Sequence, residues 1–248
     1  MIASLMMYAR SELAQANQNF WTLIRAELTH VNIFSPENLS QTADEFFVWE
    51  HPELVLSQTC GMPYRLRLHQ QVALVGTLDY GLADCPAGYY RSALVIPKSD
   101  PRDTIQAFRT ATFAYNQTIS QSGFAAPYFH VTPHGFWFEN TLQTGQHHLS
   151  ALAVAQGDAD IASIDAVTWR LLRKYEPFAK NLRVLEWTTP TPGLPLITAK
   201  PQNAKPIFDA VTVAIKNLSK TDRDLLGICG IQQIPKADYL AIPNPPKT

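Results

Sequence analysis

Three cysteines in 248 residues, Cys60, Cys85 and Cys229, are too few and too widely spaced for a disulfide framework or a zinc site. They read by default as small buried hydrophobes. One disulfide plus one free thiol is the alternative in an oxidising compartment. Charge of one sign is also missing: Lys+Arg 20 against Asp+Glu 21 leaves a formal net charge of −1. That balance gives no electrostatic footprint for nucleic acid or an anionic membrane face, and suits a single ion or a small polar solute. No run approaches the ~20 apolar residues of a membrane-spanning helix, so direct membrane insertion is not expected. A phosphate-binding loop, a dinucleotide fingerprint and a nucleophile elbow are all absent, which weakens an enzymatic reading, and no cofactor is expected. A secretion signal needs an apolar core of roughly 7–15 residues. Ile2–Met7 is short, is interrupted by Ser4 and reads as a first β-strand. The chain is therefore expected to be cytoplasmic or to have lost its leader.

What is present is a foldable chain with 46% hydrophobic and 17% charged residues, long enough for one large domain or two lobes. Leu13, Ala16, Phe20 and Leu23, widened by Trp21 and Ile24, predict an amphipathic helix from Ser11 to Leu28, with Ser11 as its cap. Strands are predicted at Leu54–Leu56, Val72–Val75, Ala93–Ile96, Thr110–Tyr115, Ile161–Ile164, Val184–Trp187 and Leu194–Thr198. Between them, Leu149, Leu152, Ala153 and Gln156 mark one helix face, with Gly157 as its stop, and a helix begins at Asp165. Ile207, Val211, Ala214 and Leu218 mark a later helix. Pro127 sits awkwardly inside the helix expected after Gly123. The Pro-rich end, residues 242–246, reads as a surface tail. Strand and helix alternate throughout, which argues an α/β fold with largely parallel sheets.

In open α/β sheets, ligands bind beyond the carboxyl ends of strands, where helix N-termini present unpaired N–H groups. Tyr8, Gln58-Thr59, Ser120-Gln121-Ser122-Gly123, Thr144-Gly145-Gln146-His147 and Asp165 all occupy such positions. Hydroxyls beside a helix start, with glycine allowing close approach, make an oxyanion cradle. Taken singly, Ser120, Ser122 and Asp165 are better read as helix caps. His147 and His148 precede a helix whose dipole favours the neutral imidazole. A metal site would need converging ligands, and only His130 and His134 are near, so none is expected.

These motifs, in this order, resemble the phosphate/phosphonate-type substrate-binding proteins of ABC transporters, which have the type II periplasmic-binding-protein fold. The resemblance runs through Met7-Tyr8 and the Trp21 helix, Ser57-Gln58-Thr59-Cys60-Gly61, Gly88-Tyr89-Tyr90-Arg91-Ser92, Ser120-Gln121-Ser122-Gly123, Thr144-Gly145-Gln146-His147, and the segment from Gly157 to Asp165. It implies two α/β lobes, each a mostly parallel sheet flanked by helices: residues 1–82 with 188–248, and 83–187, joined by two crossing strands. It further implies a small anionic ligand held between the lobes by Tyr8, Thr59, Ser120, Gln121, Ser122, Gly123, Gln146, His147 and Asp165, with Ser120, Ser122 and His147 converging. Gln121 and Gln146 stand where the family has Thr and Ser, and a longer amide in each place bears on which solute is bound. A transporter permease is the implied partner, the periplasm the implied compartment, and a monomer the expected state. Cys60 and Cys85 are expected close together, with Cys229 distant. The alternative on the same fold is an enzyme of the kind that builds the thiamine pyrimidine, although its cysteine-rich iron motif is missing. A stand-alone solute sensor is a third reading.

Overall fold

The computed structural model describes residues 1–200 and 202–246. In chain order the elements are β1 (Ile2–Ser4), α1 (Ala14–His30), α2 (Glu45–Trp49), β2 (Leu54–Gln58), α3 (Gly61–Leu66), β3 (Val72–Asp79), β4 (Tyr89–Tyr90), β5 (Ser92–Pro97), β6 (Thr112–Tyr115), α4 (Ala126–Val131) and β7 (Asn140–Gln143). There follow α5 (His147–Gln156), β8 (Ile161–Asp165), α6 (Ala166–Tyr175), β9 (Leu182–Trp187), β10 (Thr191–Pro192), β11 (Pro195–Ala199), α7 (Ala204–Asn217), α8 (Lys220–Leu226), β12 (Gly230–Gln232) and α9 (Lys236–Leu240). The chain divides into two compact units, Met1–Tyr89 with Pro192–Ile242, and Tyr90–Thr191 with residues 243–246. It passes from one unit to the other within β4 and again within β10, and these two short strands pair with each other.

Each unit is built on its own five-stranded sheet, in the order β1-β2-β11-β3-β12 for the first and β7-β6-β8-β5-β9 for the second. The sheets are mixed, where the alternation of strand and helix predicts mostly parallel ones. In the second unit β6, β7, β8 and β9 share one direction, and β5 runs against its neighbours β8 and β9. In the first, β11 runs against β2 and β3, and β12 against β3. β5 and β11 are each the first full strand after a chain crossing. They enter their sheets from the end opposite to strands delivered by helical crossovers, and so must run antiparallel to them.

Period-2 alternation shows why the second sheet is buried on both faces. Ala93, Val95, Ala114, Ala162 and Ile164 face one apolar cluster with α5 and α6, while Leu94, Ile96, Phe113, Tyr115 and Ile161 face another. Phe113 stacks on Phe138 with ring centroids 4.7 Å apart. In the first unit, α1 buries Ala16, Phe20, Trp21, Ile24 and Leu28, and α7 buries Ile207, Ala210, Val211 and Ala214. The N-terminal apolar run ends as a strand at Ser4, whose hydroxyl donates to Gln41 Oε1 at 3.0 Å. Met6–Tyr8 then forms a 3-10 turn. Ser11 lies inside a second such turn, its hydroxyl bonded to Glu12, and does not cap α1.

The expected face of α5 is also corrected. Ser150, Ala151, Ala153 and Val154 face the core, and Leu149 is exposed. Small side chains let this helix lie close on the sheet, so the apolar period of the larger residues misleads. Within the C-terminal segment, Pro245 is buried among mostly exposed neighbours.

Candidate functional site

The polar residues of the second unit gather where β6 and β8 end. Beyond β6, Ser120 opens a π-helical turn, Gln121–Ala125, and its hydroxyl accepts from Gly123 N at 3.0 Å. The Ser120 carbonyl takes both Phe124 N (3.2 Å) and Ala125 N (3.0 Å). Pro127 is the second residue of α4, directly after the π-helical turn, so it lies inside one continuous helical stretch as the sequence indicates. Ser120 is therefore the cap of this turn. Ser120→Ala should lower stability by about 1 kcal/mol, read as a denaturant midpoint shift.

Ser122 has a different role. Its Oγ lies 2.9 Å from His147 Nε2, and its carbonyl accepts from Ser163 Oγ at 2.7 Å. Gly123 follows because nothing larger fits: a Cβ there would stand 1.9 Å from Asn116 Oδ1 and 3.2 Å from His147 Cε1. Ser120, Gln121, Ser122 and Ser163 are all buried.

His147 reaches this place from the first residue of α5. The preceding turn needs Gly145, with φ +87°, whose N–H donates to the Asn116 carbonyl at 2.9 Å. Gln146 is exposed, and its side chain makes no cap bond. Burial holds the His147 ring below its ordinary value of 6.5, against the opposing pull of the Asp165 charge and the Ser163 carbonyl. On acidification the unfolded chain takes up this proton first. The contribution to stability is thus present above about pH 6.5 and declines as pH falls toward the lowered folded value. Melting curves of wild type and His147→Gln should converge as the pH drops from roughly 7.5 to 5; a constant gap would contradict this.

Asp165 ends β8 and caps α6, accepting from Val167 N (2.7 Å), Thr168 N (3.1 Å) and Thr168 Oγ1 (3.0 Å). In the first unit, Tyr8 is half-buried, with its ring edge-on to Tyr80 at 5.2 Å. Tyr80 OH accepts from Gln58 Nε2 at 3.2 Å. Thr59 is fully buried; its N–H donates to Pro195 O at 3.0 Å and its hydroxyl to Cys60 O at 3.4 Å.

Ser122, Gly123 and His147 are thus brought into one cluster, with Ser120 capping the same turn, while Tyr8 and Thr59 belong to the other unit. Sequence reasoning missed Asn116 and Ser163. Ser163 was detectable, since it is a polar residue in a buried strand on the same face as Ile161 and Asp165. Asn116 carried no such signal. Of the three cysteines, only Cys60 is buried, and Cys229 is exposed. His130 pairs with Glu186 at 2.8 Å and His134 with Gln106 at 2.7 Å. Among the described residues no group of three or more His, Cys, Asp or Glu is placed to hold a metal ion, and no helix is long and apolar enough to cross a membrane.

A family profile described as ABC transporter, phosphonate, periplasmic substrate-binding protein matches residues 56–239. No curated protein sequence matches the chain. Among solved structures, the PhnD1 protein of Prochlorococcus marinus in complex with methylphosphonate superimposes with a TM-score of 0.71 at 14% identity, covering 96% of this chain and 93% of that one. The XAC2383 protein of Xanthomonas citri bound to ATP also gives 0.71, at 13% identity, covering 96% and 91%. A binding-protein component of an ABC phosphonate transporter from Pseudomonas aeruginosa gives 0.66 at 17% identity, covering 96% and 82%. At these identities the structural likeness shows a shared fold, that of the periplasmic binding proteins.

Proposed function

We propose that this chain, which belongs to the family of phosphonate periplasmic substrate-binding proteins of ABC transporters, holds a small oxyanion of the phosphonate or phosphate class at the polar end of the second unit's sheet. The observation that carries this is the Ser122–His147 pair, set beside Gly123 at the start of one helical turn and of α5. An anion leaving water must recover its hydrogen bonds from fixed donors. Hydroxyls, an imidazole and the N–H groups at two helix starts supply them without a formal positive charge, which suits a chain of net charge −1. Ser120, Gln121, Ser122, Gly123, Gln146 and His147 form the proposed oxyanion set. Asp165 acts through its charge beside His147.

In this reading the protein is a binding component rather than an enzyme, works as a monomer in the periplasm and delivers its solute to a permease. A thermal-shift screen of phosphate, phosphonates, sulfonates and pyrimidines tests it. A bound ligand at a hundredfold excess over its Kd stabilises by about 2.7 kcal/mol. Phosphonate or phosphate should raise the melting temperature. A shift with pyrimidines alone would favour the synthase-like enzyme instead.

A further inference from the structure

Asn116 stands at the centre of the Ser122–His147 cluster with an atom that nothing satisfies. Its side-chain oxygen Oδ1 is buried and has no hydrogen-bond partner among the described residues. It occupies the space that a side chain on residue 123 would fill, and His147 Cε1 borders the same space. The neighbouring backbone and hydroxyl donors are committed elsewhere, and His147 Nδ1 is a second buried atom of the cluster without a partner. Gly123 N serves Ser120 Oγ at 3.0 Å, and Ser163 Oγ serves the Ser122 carbonyl at 2.7 Å. Gly145 N serves the backbone carbonyl of Asn116 itself at 2.9 Å. Buried acceptors left unpaired are uncommon in folded proteins, and each needs an explanation, a bound group being one. A fully ionised anion brings only acceptors, and would repel this one.

We infer that Asn116 is a specificity-determining contact whose amide oxygen accepts a hydrogen bond from the bound solute, so that the site prefers an oxyanion still carrying one O–H, a singly protonated phosphonate or phosphate, over a sulfonate of the same shape and charge. This rests on the oxyanion reading above and adds the protonation state of the solute to it. Gly123 is the partner that makes the contact available, because only a residue without a side chain leaves the amide its seat.

The test compares methylphosphonate with methanesulfonate by titration calorimetry, at one pH below the second ionisation of the phosphonate. Both probes are then tetrahedral monoanions with one methyl group, and they differ in the O–H. Wild type should bind methylphosphonate at least roughly tenfold more tightly, one hydrogen bond to a charged partner. Asn116→Ala should bring the two within about threefold of each other, with an unchanged or higher melting temperature, because a buried unsatisfied atom has been removed. Asn116→Asp, which keeps an acceptor and adds a charge, should weaken the sulfonate more than the phosphonate and so widen the gap. Equal binding of both probes by wild type, or a gap that survives Asn116→Ala, overturns the inference and leaves the oxyanion site standing. Failure of wild type to bind either probe overturns the oxyanion reading itself, and the inference with it.

Discussion

Ser122→Ala should weaken methylphosphonate binding by roughly tenfold to over a hundredfold, or about 1.5–3 kcal/mol, the value of a hydrogen bond to a charged group. The geometry separates this loss from a folding defect. Capping of the turn falls to Ser120, whose hydroxyl takes Gly123 N, whereas the Ser122 hydroxyl bonds to His147. What anchors residue 122 in the fold is its carbonyl, held by Ser163, and alanine keeps that carbonyl. Melting temperature should therefore change little in Ser122→Ala and fall in Ser120→Ala. Thermal melts of the two variants beside their titrations check the division. A clearly lowered melting temperature with unchanged affinity in Ser122→Ala would return Ser122 to a structural role.

Gly123→Ala should damage the same site by a different route. The added carbon would stand 1.9 Å from Asn116 Oδ1 and 2.9 Å from Asn116 Cγ, far inside contact distance. The Asn116 amide must leave its seat, and the His147 ring, 3.2 Å from the same point, must yield as well. Overpacking of this kind typically costs about 1–3 kcal/mol. Because the groups that move are the proposed ligand contacts, the loss should appear in affinity as well as in stability. Asn116→Ala combined with Gly123→Ala relieves the clash and should recover much of the lost stability, but not the preference for a protonated solute. If Gly123→Ala binds methylphosphonate as wild type does, the cluster around residue 123 does not touch the solute.

The parts of the fold that could be read from sequence are those whose periodicity is set by large side chains. Phe20, Trp21, Ile24 and Leu28 on α1, and Ile207, Val211 and Ala214 on α7, point inward as their spacing requires. α5 misled because its core face is made of Ser150, Ala151, Ala153 and Val154, small residues that a hydrophobic period underweights. The directions of β5 and β11 were not legible, since a buried apolar strand reads the same either way and only chain routing sets its sense. α2, α8 and α9, at 5, 7 and 5 residues, are too short to display a period.

The motifs marked the loops that carry these residues but could not divide the work within them. Ser120 and Ser122 are equivalent as residue types, and only the backbone turn decides which one faces Gly123 N and which faces His147. Asp165 behaves as its spacing alone indicated, as the cap of α6. Asn116 was invisible because its importance comes from the space left by Gly123, a relation between residues that no linear pattern records.

The most direct test is a crystal structure of the protein with methylphosphonate bound. The account predicts phosphonate oxygens at hydrogen-bonding distance, roughly 2.7–3.2 Å, from Ser122 Oγ and His147, with one oxygen facing Asn116. A phosphonate bound elsewhere, with Ser122 and His147 still satisfied only by each other, would contradict it.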